Sequence, residues 1–311
     1  MTDTRDMRAI AVAGALEKCS PSVEQVAHEG WAFALSNGAN LRATARIDDG
    51  WLLLDAPLSE SRVKNHQPPL WKLLGWNAAL VGGAKFALPA EESVVRLRAE
   101  LPFDDDVNLT RRIVQACAGL KMASARFHRT DGAGDDADGC AATFAAENPA
   151  SDLAGVCRES GWAFIERGSG ILAVDLDVPG TFQQALVEAD AQRGVAVSVA
   201  LTAGTEPPVP PCREALGLLL LRSSAVVRMA RAAVETGEGG TAARFEVVFA
   251  DTPCAAELAH AFAALSVACR LASHETAVLA RDERIARAYL KANRKPATTI
   301  QKPQTELTAE S

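Results

Sequence analysis

Side chains that can do chemistry are present in this chain, but they are scattered. Five histidines (His28, His66, His128, His260 and His274) stand in no His-Glu-x-x-His frame. His260 and His274 are 14 residues apart. On one helix that spacing brings both to one face but about 21 Å apart along the axis, too far for a shared metal ion. The acidic run Asp131 to Gly139 invites a calcium loop. Aligning Asp136, Asp138 and Gly139 on such a loop puts Gly134 and Ala145 where its first and last oxygen ligands belong, so an acidic spacer is the better reading. Gly132-Ala133-Gly134 continues as neither a dinucleotide fingerprint nor a P-loop. Asp104-Asp105-Asp106 offers neighbouring carboxylates for acid–base work. A helix start explains them as well, because acids there satisfy free N–H groups and oppose the dipole for about 0.3–1 kcal/mol each. Ser36, Ser223 and Ser224 have no base at a recognisable spacing. The seven cysteines (Cys19, Cys117, Cys140, Cys157, Cys212, Cys254, Cys269) include no Cys-x-x-Cys pair, and they read as reduced, mostly buried thiols. These residues define no catalytic, cofactor-binding or metal-ligating site, and no cofactor is expected.

Composition narrows the class further. At 311 residues the chain has room for about two domains, and 48% apolar residues supply two ordinary cores. The net charge of −7 is concentrated in residues 131–152, which hold six acids and no base. A pI near 5.4 without a basic half argues against nucleic acid, which needs clustered Lys and Arg to displace counterions. The apolar run 9–16 is short and is followed at once by Glu17-Lys18, unlike a secretory signal. The Leu-rich stretch 216–221 stops at Arg222, far short of a bilayer span. A cytoplasmic protein is the expectation.

The elements that must position any site are written twice. Gly30-Trp31-Ala32-Phe33 returns as Gly161-Trp162-Ala163-Phe164, 131 residues on. Leu41, Ala43, Ala45 and Ile47 alternate with polar neighbours, as do Leu172, Val174, Leu176 and Val178 at the same offset. Further along, Arg98-Ala99-Glu100 has its counterpart in Arg244-Phe245-Glu246 at an offset of 146, so the second copy carries about 15 inserted residues. A period this long means two copies of one domain rather than a solenoid unit.

The order read for each copy is α-β-β-β-α-β-β-α. In the first, residues 22–27 behind Ser20-Pro21 read as a short helix. Residues 31–35, 41–47 and 51–58 read as strands, with hairpin turns at Asn37-Gly38 and Asp48-Asp49-Gly50. Pro68-Pro69 opens a helix through Leu70, Leu73, Leu74 and Trp76 that Gly82-Gly83 ends. Strands over 85–89 and 94–103 precede a helix with Leu109, Ile113, Ala116, Cys117 and Leu120 on one face. In the second, a helix to Cys157 leads to strands over 162–166, 171–178 and 195–201 and a helix from about Arg213. Strands near 226–233 and 243–249 follow. The closing helix starts at Thr252-Pro253, buries Leu258, Phe262, Leu265, Cys269 and Ala272, and runs on to about Asn293. Short strands joined by tight turns imply antiparallel sheets covered by helices, an α+β fold twice over. The domains are expected over 1–130 and 151–294, with an acidic linker at 131–150 and a disordered tail at 295–311.

This order, with an alternating strand running through Leu101-Pro102 into an acidic helix start, resembles the class I type III secretion chaperones. The resemblance rests on residues 31–47, 94–106 and the helix 109–120, together with their copies. It implies a protein that catalyses nothing and holds an extended segment of a partner protein against apolar surface. Two such domains on one polypeptide imply a covalent pseudo-dimer, monomeric as a chain. Trp31 and Trp162 read as equivalent core positions. Trp51, Trp71 and Trp76 have no counterparts, which favours the first copy as the partner's side. The partner-binding residues are left open. The alternatives are a regulatory or scaffolding protein acting through its long closing helix, or an enzyme with an interdomain site.

Overall fold

The computed structural model describes residues 4–36, 40–58, 68–92, 94–104, 107–128, 152–190, 192–201, 207, 209–237 and 240–293. The linker 131–150 with its candidate calcium loop, the tail 295–311, the Asn37-Gly38 turn, Cys140, His66, Asp105 and Asp106 lie outside the described residues. The first half runs α1 (Thr4–Glu17), β1 (Val23–Ala27), β2 (Gly30–Ser36), β3 (Asn40–Asp48), β4 (Trp51–Pro57), α2 (Leu70–Ala78), β5 (Lys85–Ala87), β6 (Arg96–Pro102), α3 (Leu109–His128). The second runs α4 (Leu153–Glu159), β7 (Phe164–Arg167), β8 (Ile171–Leu176), β9 (Gln183–Asp190), β10 (Gly194–Ala200), α5 (Pro210–Val226), β11 (Arg231–Gly237), β12 (Gly240–Phe249), α6 (Ala255–Arg281), α7 (Glu283–Asn293).

The fold is α+β, built of two similar halves. Each half holds a six-stranded antiparallel sheet of the same topology, β1-β2-β3-β4-β6-β5 and β7-β8-β9-β10-β12-β11. Alternation puts one face of each sheet against helices. In the first sheet the cross-strand row Trp31, Ala45, Leu54, Ala99 is buried under α3, against which α1 packs. In the second the row Leu172, Val187, Val197, Val247 is buried under α6. Asp49 (φ 47°) and Gly50 (φ 76°) make the β3–β4 turn, where successive positive φ values match the twist of a tight hairpin.

Each sheet has one strand more than the sequence order supplied. Residues 22–27, read as a helix, are the edge strand β1, and the helix lies earlier, at Thr4–Glu17. Five residues are too few to hold a helix by themselves, whereas pairing with β2 orders them as a strand. Ser20 fixes the strand's start: its hydroxyl accepts from Ala34 N and Ser22 N, 3.2 Å from each. In the second half β9 was missed, since it buries only Ala185 and Val187.

The extra strands change the internal alignment. By sheet position β1 matches β7 and β2 matches β8. The Gly-Trp-Ala-Phe match is therefore one strand out of step: Trp31 lies within β2 and buried, while Trp162 precedes β7 and packs on Phe262, ring centroids 5.3 Å apart. The offset of 146 holds where it was read, pairing β6 with β12.

The closing helix is two helices. α6 ends at Asp282, whose extended backbone (φ −104°, ψ 102°) breaks the run and whose carboxylate accepts from Ile285 N at 3.0 Å. α7 folds back on α5 and α6, burying Ala286 and packing Tyr289 and Leu290 against the core.

Candidate functional site

The halves meet through matching elements. α2 packs on β11 and α5, and α5 packs in turn on β5. At the centre sit two ion pairs with almost no exposure, Lys85–Glu100 at 2.8 Å and Arg231–Glu246 at 2.8 Å. Lys85 Nζ crosses to the second half, donating to Val227 O (2.7 Å) and Ala230 O (3.1 Å). Arg231 crosses the other way, donating to Ala84 O (2.8 Å) and Leu80 O (2.7 Å). Burial pulls the Lys85 ammonium below its ordinary pKa, against the opposing pull of Glu100. Burial alone would raise Glu246; Arg231, Arg244 and Arg193 outweigh it and hold the carboxyl below its ordinary value. Asn77 completes the seam, donating to Ala232 O at 2.8 Å and accepting from Phe86 N at 2.7 Å.

Around this core the structure gathers residues the sequence left apart. Asp104, at the approach to α3, lies 2.7 Å from His260 Nε2 on α6, 156 residues away. His260 packs edge-on against Trp51 (5.1 Å), and Arg228 lies over the same indole (5.4 Å) while pairing with Asp48 at 3.0 Å. A carboxylate–imidazole pair is the base half of a nucleophilic triad, yet among the described residues no hydroxyl or thiol hydrogen-bonds to His260. Deeper in, Arg112 of α3 donates to both Glu257 oxygens (2.6 and 2.7 Å), to Gln115 (3.0 Å) and to Asp251. Burial works against the Arg112 charge, but Glu257 and Asp251 more than compensate and raise its pKa. With its donors engaged, Arg112 is a clasp between α3 and the start of α6. The cavity beside it, lined by Gly82, Met229 and Phe249 among others, is about 30 Å³, room for one or two waters. A wider cleft of about 450 Å³ opens in the second half beside Asp152, Glu166, Arg167, Ser169 and Glu188.

Asp104 and Asp251 do not cap the helices that follow them. Asn108 caps α3, accepting from Arg111 N at 3.1 Å, and Asp104 faces His260 instead. Glu257 closes the start of α6, accepting from Cys254 N at 2.9 Å, which leaves Asp251 for the Arg112 clasp. Ser224 is structural, donating to Leu220 O and accepting from Ala232 N; Ser223 donates to Leu219 O, and the Ser36 side chain lies outside the description. His274 is exposed on α6, whereas His260 faces Asp104 and Trp51 of the first half. Trp51, Trp71 and Trp76 do not form a free patch on the first half. Trp76 is buried, Trp71 packs on the core and Trp51 is held by the second half. Nothing in the sequence announced Asp104–His260, because the contact joins separate halves.

At the opposite ends of the sheets, β5 and β11 lie at the seam, and among the described residues β1 and β7 are edge strands with no further strand paired to them. Beside them stand conspicuously exposed apolar side chains: Val26 (59%) on β1, Ile10 (63%) on the α1 helix that touches β1, and Ile165 (62%) on β7. α6 has the length and composition to cross a bilayer, but half of its apolar stretch is buried as the core of the second half.

Fold and seam together define a class, an α+β protein folded as an intramolecular pseudo-dimer. No protein-family model matches this chain, and no curated protein matches it.

Proposed function

We propose that this protein is a non-enzymatic protein-binding module, similar in action to the secretion chaperones its element order resembles, and that it holds an extended segment of a partner by strand addition. The observation that carries the reading is the placement of the open edges β1 and β7, each with exposed apolar side chains beside it. An open edge offers unpaired backbone N–H and C=O groups, and flanking apolar side chains give an added strand its side-chain contacts. Both edges belong to one chain, whose halves are joined by the buried Lys85 and Arg231 contacts.

The test has two stages. Tagged protein is purified from its own host, and any stoichiometric partner is identified by mass spectrometry. Hydrogen exchange on the complex then locates the contact. Protection of β1 or β7 amides, with capture lost in Val26→Lys or Ile165→Lys at unchanged melting temperature, supports strand addition. Protection confined to α6 and α7 would favour the regulatory or scaffolding reading, which the exposed Val267, Leu271 and Val278 on α6 motivate. An interdomain enzyme would need turnover that fails in His260→Ala and Asp104→Asn alike.

A further inference from the structure

α6 carries two apolar stripes, and the chain itself uses one of them. Leu258, Phe262, Leu265, Cys269 and Ala272 are buried in the core of the second half. On the other side Val267, Leu271 and Val278 are exposed, with exposed His274 between them. Successive spacings are 4, 3 and 4 residues, so at about 100° per residue the four lie within about 60° of one another. The centre of that arc points directly away from the buried stripe. Toward the helix start the same line is covered by the first half, where His260 meets Asp104 and Trp51. The break at Asp282 closes the other end. Between them an apolar stripe about 17 Å long faces outward.

Charge decides what fits it. The spacing is the a/d pattern of a two-stranded coiled coil, with Val267 and His274 at d and Leu271 and Val278 at a. The flanking positions are then Arg270 at g and Glu275 at e, both exposed. Arg270 is held alongside the helix by the β8–β9 turn, its Nη2 donating to Asp177 O at 2.7 Å. In a parallel pair each g side chain faces the e side chain of the next heptad in the other helix. Arg270 of each copy would meet Glu275 of the other, and both contacts are of opposite sign. In an antiparallel pair g flanks g and e flanks e, which gives Arg270 only alanine neighbours, Ala263 and Ala277, and Glu275 no cation.

We infer that two copies of this chain associate through α6, parallel and side by side about a two-fold axis along the helix, so that the pseudo-dimer is one subunit of a true dimer. Such a contact is isologous: each stripe residue meets its own copy across the axis. His274 is the polar member of the stripe, a device that fixes register at a cost in stability. Four stripe residues per copy make a small interface, so the dimer is reversible and fills as concentration rises. Neither β1 nor β7 contributes to it, and partner capture at those edges is a separate property.

The test is sedimentation velocity on the full chain from about 1 μM to about 1 mM, which should show a monomer–dimer equilibrium. Leu271→Glu should leave a monomer at unchanged melting temperature, and His274→Leu should move the midpoint to lower concentration. Arg270→Glu and Glu275→Arg should each be monomeric alone, because every flanking pair is then of like sign. Mixed together they should form a dimer, because every pair is again of opposite sign. A chain monomeric over the whole range, or a dimer that Leu271→Glu leaves intact, overturns the proposal. So does a monomer that binds vesicles of phosphatidylcholine and phosphatidylglycerol and loses that binding in Leu271→Glu, which would assign the stripe to a lipid surface. A dimer lost in Leu271→Glu whose two charge variants fail to pair with each other overturns the parallel arrangement.

Discussion

Lys85 and Arg231 stand 146 residues apart and perform one act in opposite directions: each pairs with a glutamate of its own sheet and donates to backbone carbonyls of the other half. The glutamates, Glu100 and Glu246, are 146 apart, and so are the carbonyls of Ala84 and Ala230. A cation reaching the neighbour's backbone, repeated under a two-fold relation, is the signature of an isologous contact between like subunits. Here both subunits are one polypeptide.

Breaking one of these pairs should be costly. Lys85→Met leaves Glu100 buried, with Met229 N at 3.2 Å as a remaining donor, and is expected to lose roughly 3–5 kcal/mol in urea unfolding. Adding Glu100→Leu should recover part of that loss, because the stranded charge is gone. A double variant no more stable than the single would show that the ammonium's bonds to Val227 O and Ala230 O, rather than the pair, hold the seam.

The seam also sets the acid limit of the fold. Because the Glu246 carboxyl is held below its ordinary 4.5, folding favours its ionised form. That contribution is present in full above pH 4.5 and is lost as the pH falls through the lower folded value. Glu246→Gln should be less stable at pH 7 and lose less between pH 5 and pH 3, read from urea midpoints. Parallel acid limbs for the two proteins would contradict this.

Gly82 and Gly83 make a controlled comparison. Both have positive φ (66° and 75°), so alanine at either costs about 1–2 kcal/mol. A Cβ at Gly82 would strike the Gln115 carbonyl of α3, whereas one at Gly83 meets nothing within 4 Å. Gly82→Ala should therefore lower the melting temperature more than Gly83→Ala; equal effects would mean that α3 yields freely.

Ending the chain after Asp282 tests the closing helix. Tyr289, Leu290 and the Asn293 carbonyl bonded by Arg222 at 3.0 Å would be lost, at an expected cost of roughly 2–4 kcal/mol. A truncated protein with unchanged melting temperature that no longer captures a partner would identify α7 as a contact arm rather than core.

Local signals carried the fold class. Alternation at Leu41, Ala43 and Ala45, the heptad-like burial from Leu258 to Ala272 and the Asp49-Gly50 turn reflect forces acting within a few residues, and β3, the buried face of α6 and the β3–β4 turn lie where those signals do. Edge strand β1 is hidden because it buries little and has no alternation to show; its order comes from β2. With β1 and β9 absent from the sequence order, the Gly-Trp-Ala-Phe identity aligns strands that occupy different sheet positions.

The sequence by itself determined that the chain is two copies of one α+β unit, because periodicity is a property of neighbours along the chain. Only the tertiary structure decided how those copies meet. Asp104 reaches His260, Lys121 reaches Cys19 and Lys85 reaches Ala230 through packing that closes loops of about 100 residues or more. Such contacts leave no spacing in the sequence, since what selects them is complementarity between surfaces formed only after each half has folded.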